Sequence, residues 1–198
     1  MNDNESITNY LKNKNYTNFE GFVKNENQII DLIQLSKYAT NILEIGFNTG
    51  NSSDIFLKNN DKCNVVSFDI GYHEYVYSAK EYIDIYYPNR HTLIIGDSTK
   101  TVPQYYEKNK DIIFDLIFID GGHEYDTARQ DLMNCKLLSD KNTLIILDDV
   151  IRNSTLIAQY TRGPTLAWTE CIYNNIVTEL GYREYDYGTG MVYGKYII

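Results

Sequence analysis

The chain lacks paired cysteines: Cys63, Cys135 and Cys171 are odd in number, widely spaced and form no CxxC. That pattern argues against a disulfide framework or a zinc site, and it reads as reduced thiols in an intracellular protein. Positive charge is scarce, with 18 Lys and Arg against 27 Asp and Glu and a formal net charge of -9. Phosphate backbones are held by concentrated Lys and Arg, so no nucleic-acid partner is expected. No apolar run approaches the roughly 20 residues of a membrane helix, and the first residues, Met1-Asn2-Asp3-Asn4-Glu5-Ser6, are polar. A soluble, cytoplasmic protein without membrane contact is therefore expected. Two nucleotide signatures are missing as well. Gly46-Phe47-Asn48-Thr49-Gly50 is not a GxGxxG, which disfavours a nicotinamide dehydrogenase, and it lacks the Lys-Ser/Thr pair of a triphosphate loop.

What the chain does have is a series of short apolar runs that end in polar residues. Its 43% hydrophobic content over 198 residues suits one globular domain with a substantial core. Asn41 to Ile45 reads as a strand that breaks into the Gly46–Gly50 loop and a polar helix start at Asn51-Ser52-Ser53. Glycines there permit positive φ and close approach of a ligand, and the helix start offers unpaired N–H groups. Asn64 to Asp69 is a second such strand, ending in an acid that can accept both hydroxyls of a ribose or can cap a turn. Thr92 to Ile95 is a third, followed by Gly96-Asp97-Ser98, where the acid and hydroxyl can face an adenine edge, cap the next helix, or both.

Phe114-Asp115-Leu116-Ile117-Phe118-Ile119 is a buried strand that delivers Asp120-Gly121-Gly122-His123 to a rim. Capping by Asp120 is the bland alternative. Asn142 to Leu147 repeats the pattern and ends in Asp148-Asp149. Between these runs, helical spacing marks Asn27 to Leu35, His73 to Tyr87 and His123 to Leu138, and a further helix is expected from Pro164 to Leu180, closed by Gly181. Tyr182 to Tyr187 and Met191 to Ile198 read as a last strand pair around Gly188-Thr189-Gly190. About seven strands, with helices alternating through the first five, make an α/β layer fold. Residues 1–26 are expected to be an arm or cover, and 27–198 a single domain.

In this order, the segments Asn41 to Ser53, Asp69, Gly96-Asp97-Ser98 and Phe114 to His123 resemble the class I S-adenosylmethionine-dependent methyltransferases. The similarity is greatest to the small-molecule O-methyltransferase branch, whose fourth strand ends Ile-Asp-Gly-x-His and whose fifth ends in paired acids. Here these stand as Ile119-Asp120-Gly121-Gly122-His123 and Leu147-Asp148-Asp149, while the Pro-Gly-Gly turn common before the fifth strand is replaced by Leu138-Ser139-Asp140-Lys141-Asn142. The resemblance implies a Rossmann-like, seven-stranded, mostly parallel sheet with an antiparallel last strand and helices on both faces. It implies S-adenosylmethionine as cofactor, with Glu44, Gly46, Asn48, Gly50 and Ser52 toward its methionine end, Asp69 on the ribose, Asp97 and Ser98 facing the adenine, and Asp120 also at the site.

Neighbouring strands lie about 4.8 Å apart, so the family's strand order brings Asp120 close to Asp148 and Asp149. Three carboxylates raise one another's pKa unless a cation compensates them, and a hard ion such as Mg²⁺ is the simplest candidate. Asp120, Asp148 and Asp149 are therefore the expected ligands, although two adjacent residues share an ion only if the strand ends between them. His123, three residues beyond Asp120, suits a base that deprotonates an acceptor hydroxyl, and the alternative is a helix-start residue bonded to backbone. The leading expectation is metal-assisted O-methylation of a small hydroxylated substrate, a sugar or a phenolic, with His123 and Asp120 catalytic. Arg152 to Trp168, together with Tyr185 and Tyr187, are candidates to cover the rim. The rival is a non-catalytic cofactor-binding or assembly module, and a homo-oligomer stays open.

Overall fold

The computed structural model describes residues 6–20, 25–153, 155 and 158–198. Parts of the expected arm (1–5 and 21–24) and of the expected rim cover (154, 156 and 157) lie outside the described residues. Seven strands form one sheet: β1 (Asn41–Ile45), β2 (Asn64–Asp69), β3 (His91–Ile95), β4 (Leu116–Ile119), β5 (Leu144–Asp148), β6 (Val177–Tyr185) and β7 (Thr189–Tyr196). Their order is β3-β2-β1-β4-β5-β7-β6. The first five run parallel, and β7 is antiparallel to both β5 and β6. The chain moves outward from β1 to β3 and then crosses back to β4 on the other side of β1, which opens a crevice at the carboxyl ends of β1 and β4.

Helices α1 (Ile7–Asn13), α2 (Glu26–Ser36), α3 (Asn51–Asn59), α4 (Tyr75–Tyr86), α5 (Ser98–Lys108), α6 (Tyr125–Cys135) and α7 (Arg162–Tyr173) cover both faces. Side chains alternate across a strand, so one apolar run feeds two cores. Leu116 and Phe118 of β4 pack with Leu32, Phe56, Val76 and Ile83 on one face, whereas Ile117 and Ile119 pack with Val102, Leu132 and Trp168 on the other. This double burial is why β4 is apolar throughout and does not alternate. Within the segment expected as an arm, Ser6 caps α1, and Ile7 and Leu11 are buried in the first core.

One expected element is corrected. The helix expected from Pro164 to Leu180 ends at Tyr173, and β6 already begins at Val177. Asn174-Asn175 supplies the break, with Asn175 at φ 55°, a conformation asparagine tolerates better than most residues. Gly181 consequently lies inside β6, beside the register shift between Glu179 and Gly181, and terminates no helix.

Candidate active site

The site lies where the loops after β1, β2, β4 and β5 converge. Gly46, at φ 92°, directly follows β1, and a Cβ there would sit 1.9 Å from the Asp120 carbonyl oxygen. The loops after β1 and β4 thus pack backbone against backbone, which only glycine allows. Asn48 and Gly50 also turn at positive φ, and α3 starts at Gly50 with no side chain capping it. Its first N–H groups are left for a ligand. Asp69, at the end of β2, accepts the Asn48 N–H and the Gly71 N–H, both at 2.7 Å, and so ties two loops together. Asn48 Oδ1 is a buried acceptor without a donor among the described residues.

Two expected contacts have other partners. Glu44 is fully buried on β1, and its oxygens accept the hydroxyls of Ser52 (2.5 Å), Ser53 (2.6 Å) and Ser67. Ser53 and Ser67 spend their protons on Glu44, so His91 Nε2, 2.9 Å from Ser67 Oγ, carries the hydrogen of that bond. Burial pushes Glu44 upward, with the hydroxyls pulling it back, and burial drives His91 down to about 3 and keeps it neutral. Asp97 caps α5, accepting the Thr99 N–H at 3.0 Å, and its other oxygen meets Lys100 Nζ at 2.9 Å. Ser98, half-buried at the start of α5, holds down the pKa of Asp131 on α6. Burial nonetheless pushes that acid up to about 7, and neither of its oxygens has a hydrogen bond of ordinary length.

The rim itself is acidic. Strand β5 ends at Asp148, and Asp149 follows at φ 59°, so the strand does end between the two acids. Asp149 Oδ2 lies 2.8 Å from His123 Nε2. One ligand atom from each of Asp120, His123 and Asp149 fits within 4.8 Å of the others, whereas Asp148 turns to Gln28 of α2, whose Nε2 donates to Oδ2 at 2.7 Å. The bond to Asp149 raises the pKa of His123 against the pull of burial. Burial, followed by the charges of Asp148 and Asp149, holds Asp120 well above the carboxylate range, and burial with Asp149 brings Asp148 to about 7. Among the described residues, no Lys or Arg pairs with any of the three acids.

Three further residues neighbour the rim, the first two within the stretch Arg152 to Trp168 expected to cover it and the third missed by the sequence reading. Gly163, in the first turn of α7, abuts the loop after β4 so closely that a Cβ would lie 2.1 Å from the His123 carbonyl oxygen. The short 3₁₀ turn Gln159–Thr161 before it brings the Tyr160 ring to 5.6 Å from the His123 ring, and Tyr160 remains 41% exposed. Gln28 is the third. The Gly163-Pro164 pair was the one local signal for the first two, whereas a polar residue on an apolar helix gives none. Tyr185, expected near the rim, donates to Asp31 on α2 at 2.7 Å and lies within reach of the Asp148 charge.

The comparisons with known proteins bear on the family and the fold. The model of a methyltransferase domain matches residues 43–150, more than half of the chain. Among solved structures, the chain is similar to an O-methyltransferase from Bacillus cereus in complex with SAH, at 20% identity and TM-score 0.73, covering 96% of this chain and 90% of that one. It is similar to a candidate caffeoyl-CoA O-methyltransferase from Staphylococcus aureus (21%, TM-score 0.69, 97% and 93% covered). It is also similar to CalS11, a TDP-rhamnose 3'-O-methyltransferase of calicheamicin biosynthesis (18%, TM-score 0.64, 85% and 77%). No protein of curated function matches its sequence. With the seven-stranded sheet, the glycine loop over β1 and the domain match together, the chain belongs to the methyltransferase domain family and is a class I S-adenosylmethionine-dependent methyltransferase.

Proposed function

We propose that this methyltransferase acts on a hydroxyl oxygen of a small acceptor, a sugar or a phenol, with a divalent cation at the rim. The observation that carries the reading is the acidic rim: Asp120 and Asp149 stand within ligand distance of one another, beside a histidine, with no Lys or Arg to neutralise them among the described residues. Oxygen donors of this kind suit Mg²⁺ or Mn²⁺. A divalent ion would orient acceptor oxygens and lower the pKa of a hydroxyl. Tyr160 offers an exposed aromatic face beside His123 against which a ring can lie.

S-adenosylmethionine supplies, when bound, a methyl group on positively charged sulfur. The residues around the β1 loop fit it: Asn48 Oδ1 lacks a donor, Asp69 keeps acceptor capacity for ribose hydroxyls after two N–H bonds, and the uncapped start of α3 suits a carboxylate. His123 would donate Nε2–H to Asp149, which leaves Nδ1 to take the proton of the acceptor hydroxyl. Asp149 then holds the ring in place and stabilises the charge it acquires.

The test is transfer to catechol-type and nucleotide-sugar acceptors, measured with Mg²⁺ and with a chelator. Transfer that stops in chelator and returns with Mg²⁺ supports the reading. Transfer unaffected by chelator removes the cation, and tight cofactor binding without transfer to any acceptor would favour a non-catalytic binding module.

A further inference from the structure

Asp131, on α6, is wholly buried, and neither of its oxygens has a hydrogen bond of ordinary length among the described residues. Such a group is rare in a stable fold and calls for a reason. Its place is between two loops at the carboxyl ends of the strands. A Cβ on Gly121, in the loop after β4, would stand 3.5 Å from Asp131 Oδ2. On the other side is the start of α5, where Ser98 is the one side-chain donor that acts on Asp131. Three residues further along α6, Asn134 Nδ2 donates to the Thr99 carbonyl oxygen at 3.2 Å and pins the first turn of α5 to α6.

A cofactor with its carboxylate at the start of α3 and its ribose on Asp69 leaves its base to the end of β3, the next strand outward. There Asp69 pairs with Ile95 in the register of β2 and β3, and Ile95 is 40% exposed, an apolar surface for the face of a purine. Two polar side chains begin α5. Asp97 is committed to its own turn: Oδ1 accepts the Thr99 N–H at 3.0 Å and the Thr99 hydroxyl at 2.6 Å, and Oδ2 meets Lys100 Nζ at 2.9 Å. Ser98 is left to meet the edge of the base. A hydroxyl carries one proton and two lone pairs, so the group that takes the proton decides what the oxygen offers elsewhere. We propose that Asp131 is a positioning residue that accepts the Ser98 hydroxyl proton, so that Ser98 turns a lone pair to the purine and selects a 6-amino base over a 6-oxo base; this rests on the cofactor reading given above.

The experiment is calorimetric titration of the full-length chain with S-adenosylhomocysteine and with its 6-oxo counterpart, S-inosylhomocysteine. At about pH 8.5 Asp131, with a pKa of about 7, is ionised and can only accept. Wild type is compared with Ser98→Ala, Asp131→Leu and the double variant. Leucine keeps the shape of aspartate and accepts nothing, and Asp131→Ala repeats the removal without bulk. Wild type is expected to favour the adenosyl compound about 100-fold, and each Asp131 variant about tenfold or less, the scale of one misdirected buried hydrogen bond. Ser98→Ala should fall to the same ratio, and the double variant no further. An unchanged ratio in both Asp131 variants overturns the proposal, and so does an equal loss of affinity for the two compounds, which marks a role in packing alone. A double variant less selective than Ser98→Ala also overturns it. If wild type binds neither compound, the cofactor reading falls and this role falls with it; if it binds both alike, only this role falls.

Discussion

Two groups of buried or half-buried acids lie close together in this molecule, and they are treated in opposite ways. Glu44 receives three hydroxyl protons and has a neutral histidine behind them, so its charge is satisfied from within. Asp120 and Asp149, one strand or two away, receive a single histidine between them. A carboxylate taken from water without donors is costly, and a fold keeps it so where something from outside completes it. On the proposed function, the first group belongs to stability and the second to chemistry.

The comparison is sharpened most by His123→Ala. Transfer should slow by about 10³-fold, within the range removed with a general base, while the affinity for S-adenosylhomocysteine measured by calorimetry stays within about twofold. Unchanged turnover would remove His123 from the reaction. Glu44→Ala should do the reverse. It strips three buried hydroxyls of their acceptor and opens a void, costing about 3 kcal/mol in denaturant unfolding, with Mn²⁺ affinity little changed. A Glu44 variant as stable as wild type would erase the distinction between the two groups.

Asp131 is an intermediate case: it is buried like Glu44, yet among the described residues Ser98 alone draws its pKa down. Its folded pKa, near 7, lies above the unfolded value of about 3.9. The folded state therefore binds the proton more tightly. Stability from this group is fully present below about pH 4 and is lost as pH rises toward 7. Asp131→Asn should consequently gain on wild type across that window, reaching about 4 kcal/mol by pH 8, as read from urea unfolding at a series of pH values. A difference that is flat with pH would mean that Asp131 is already paired. The smallest effect is expected at Tyr160. Removal of its ring should raise the KM for the acceptor about fivefold, the order of one stacking contact, and leave kcat within about twofold.

Much of this arrangement was legible in the chain itself, for local reasons. The run Leu116 to Ile119 is apolar at every position because both faces of β4 are covered. The acid and histidine three residues apart mark its end, and Gly46 is required by the approach of Asp120. What was not legible depends on meetings across the fold. Asp148 and Asp149 are chemically identical and adjacent, and which of them faces His123 is decided by the positive φ of Asp149 and by an amide 120 residues away. Glu44 was placed at the cofactor's methionine end by resemblance alone, and that three serines from α3 and β2 donate to its oxygens could not be read from the chain. The end of α7 was misplaced because Leu180-Gly181 imitates a helix stop, while the break is made by Asn175.

The bond between Asp31 and Tyr185 joins positions 154 residues apart, and the neighbouring bond from Gln28 to Asp148 spans 120. Contacts of such sequence separation form late, after the closure of a long loop has been compensated by other packing. A chain still emerging from the ribosome can complete the Glu44 network once β3 has been made, well before Tyr185 exists. The acidic rim would therefore acquire its final geometry only after β6 and Tyr185 have been made.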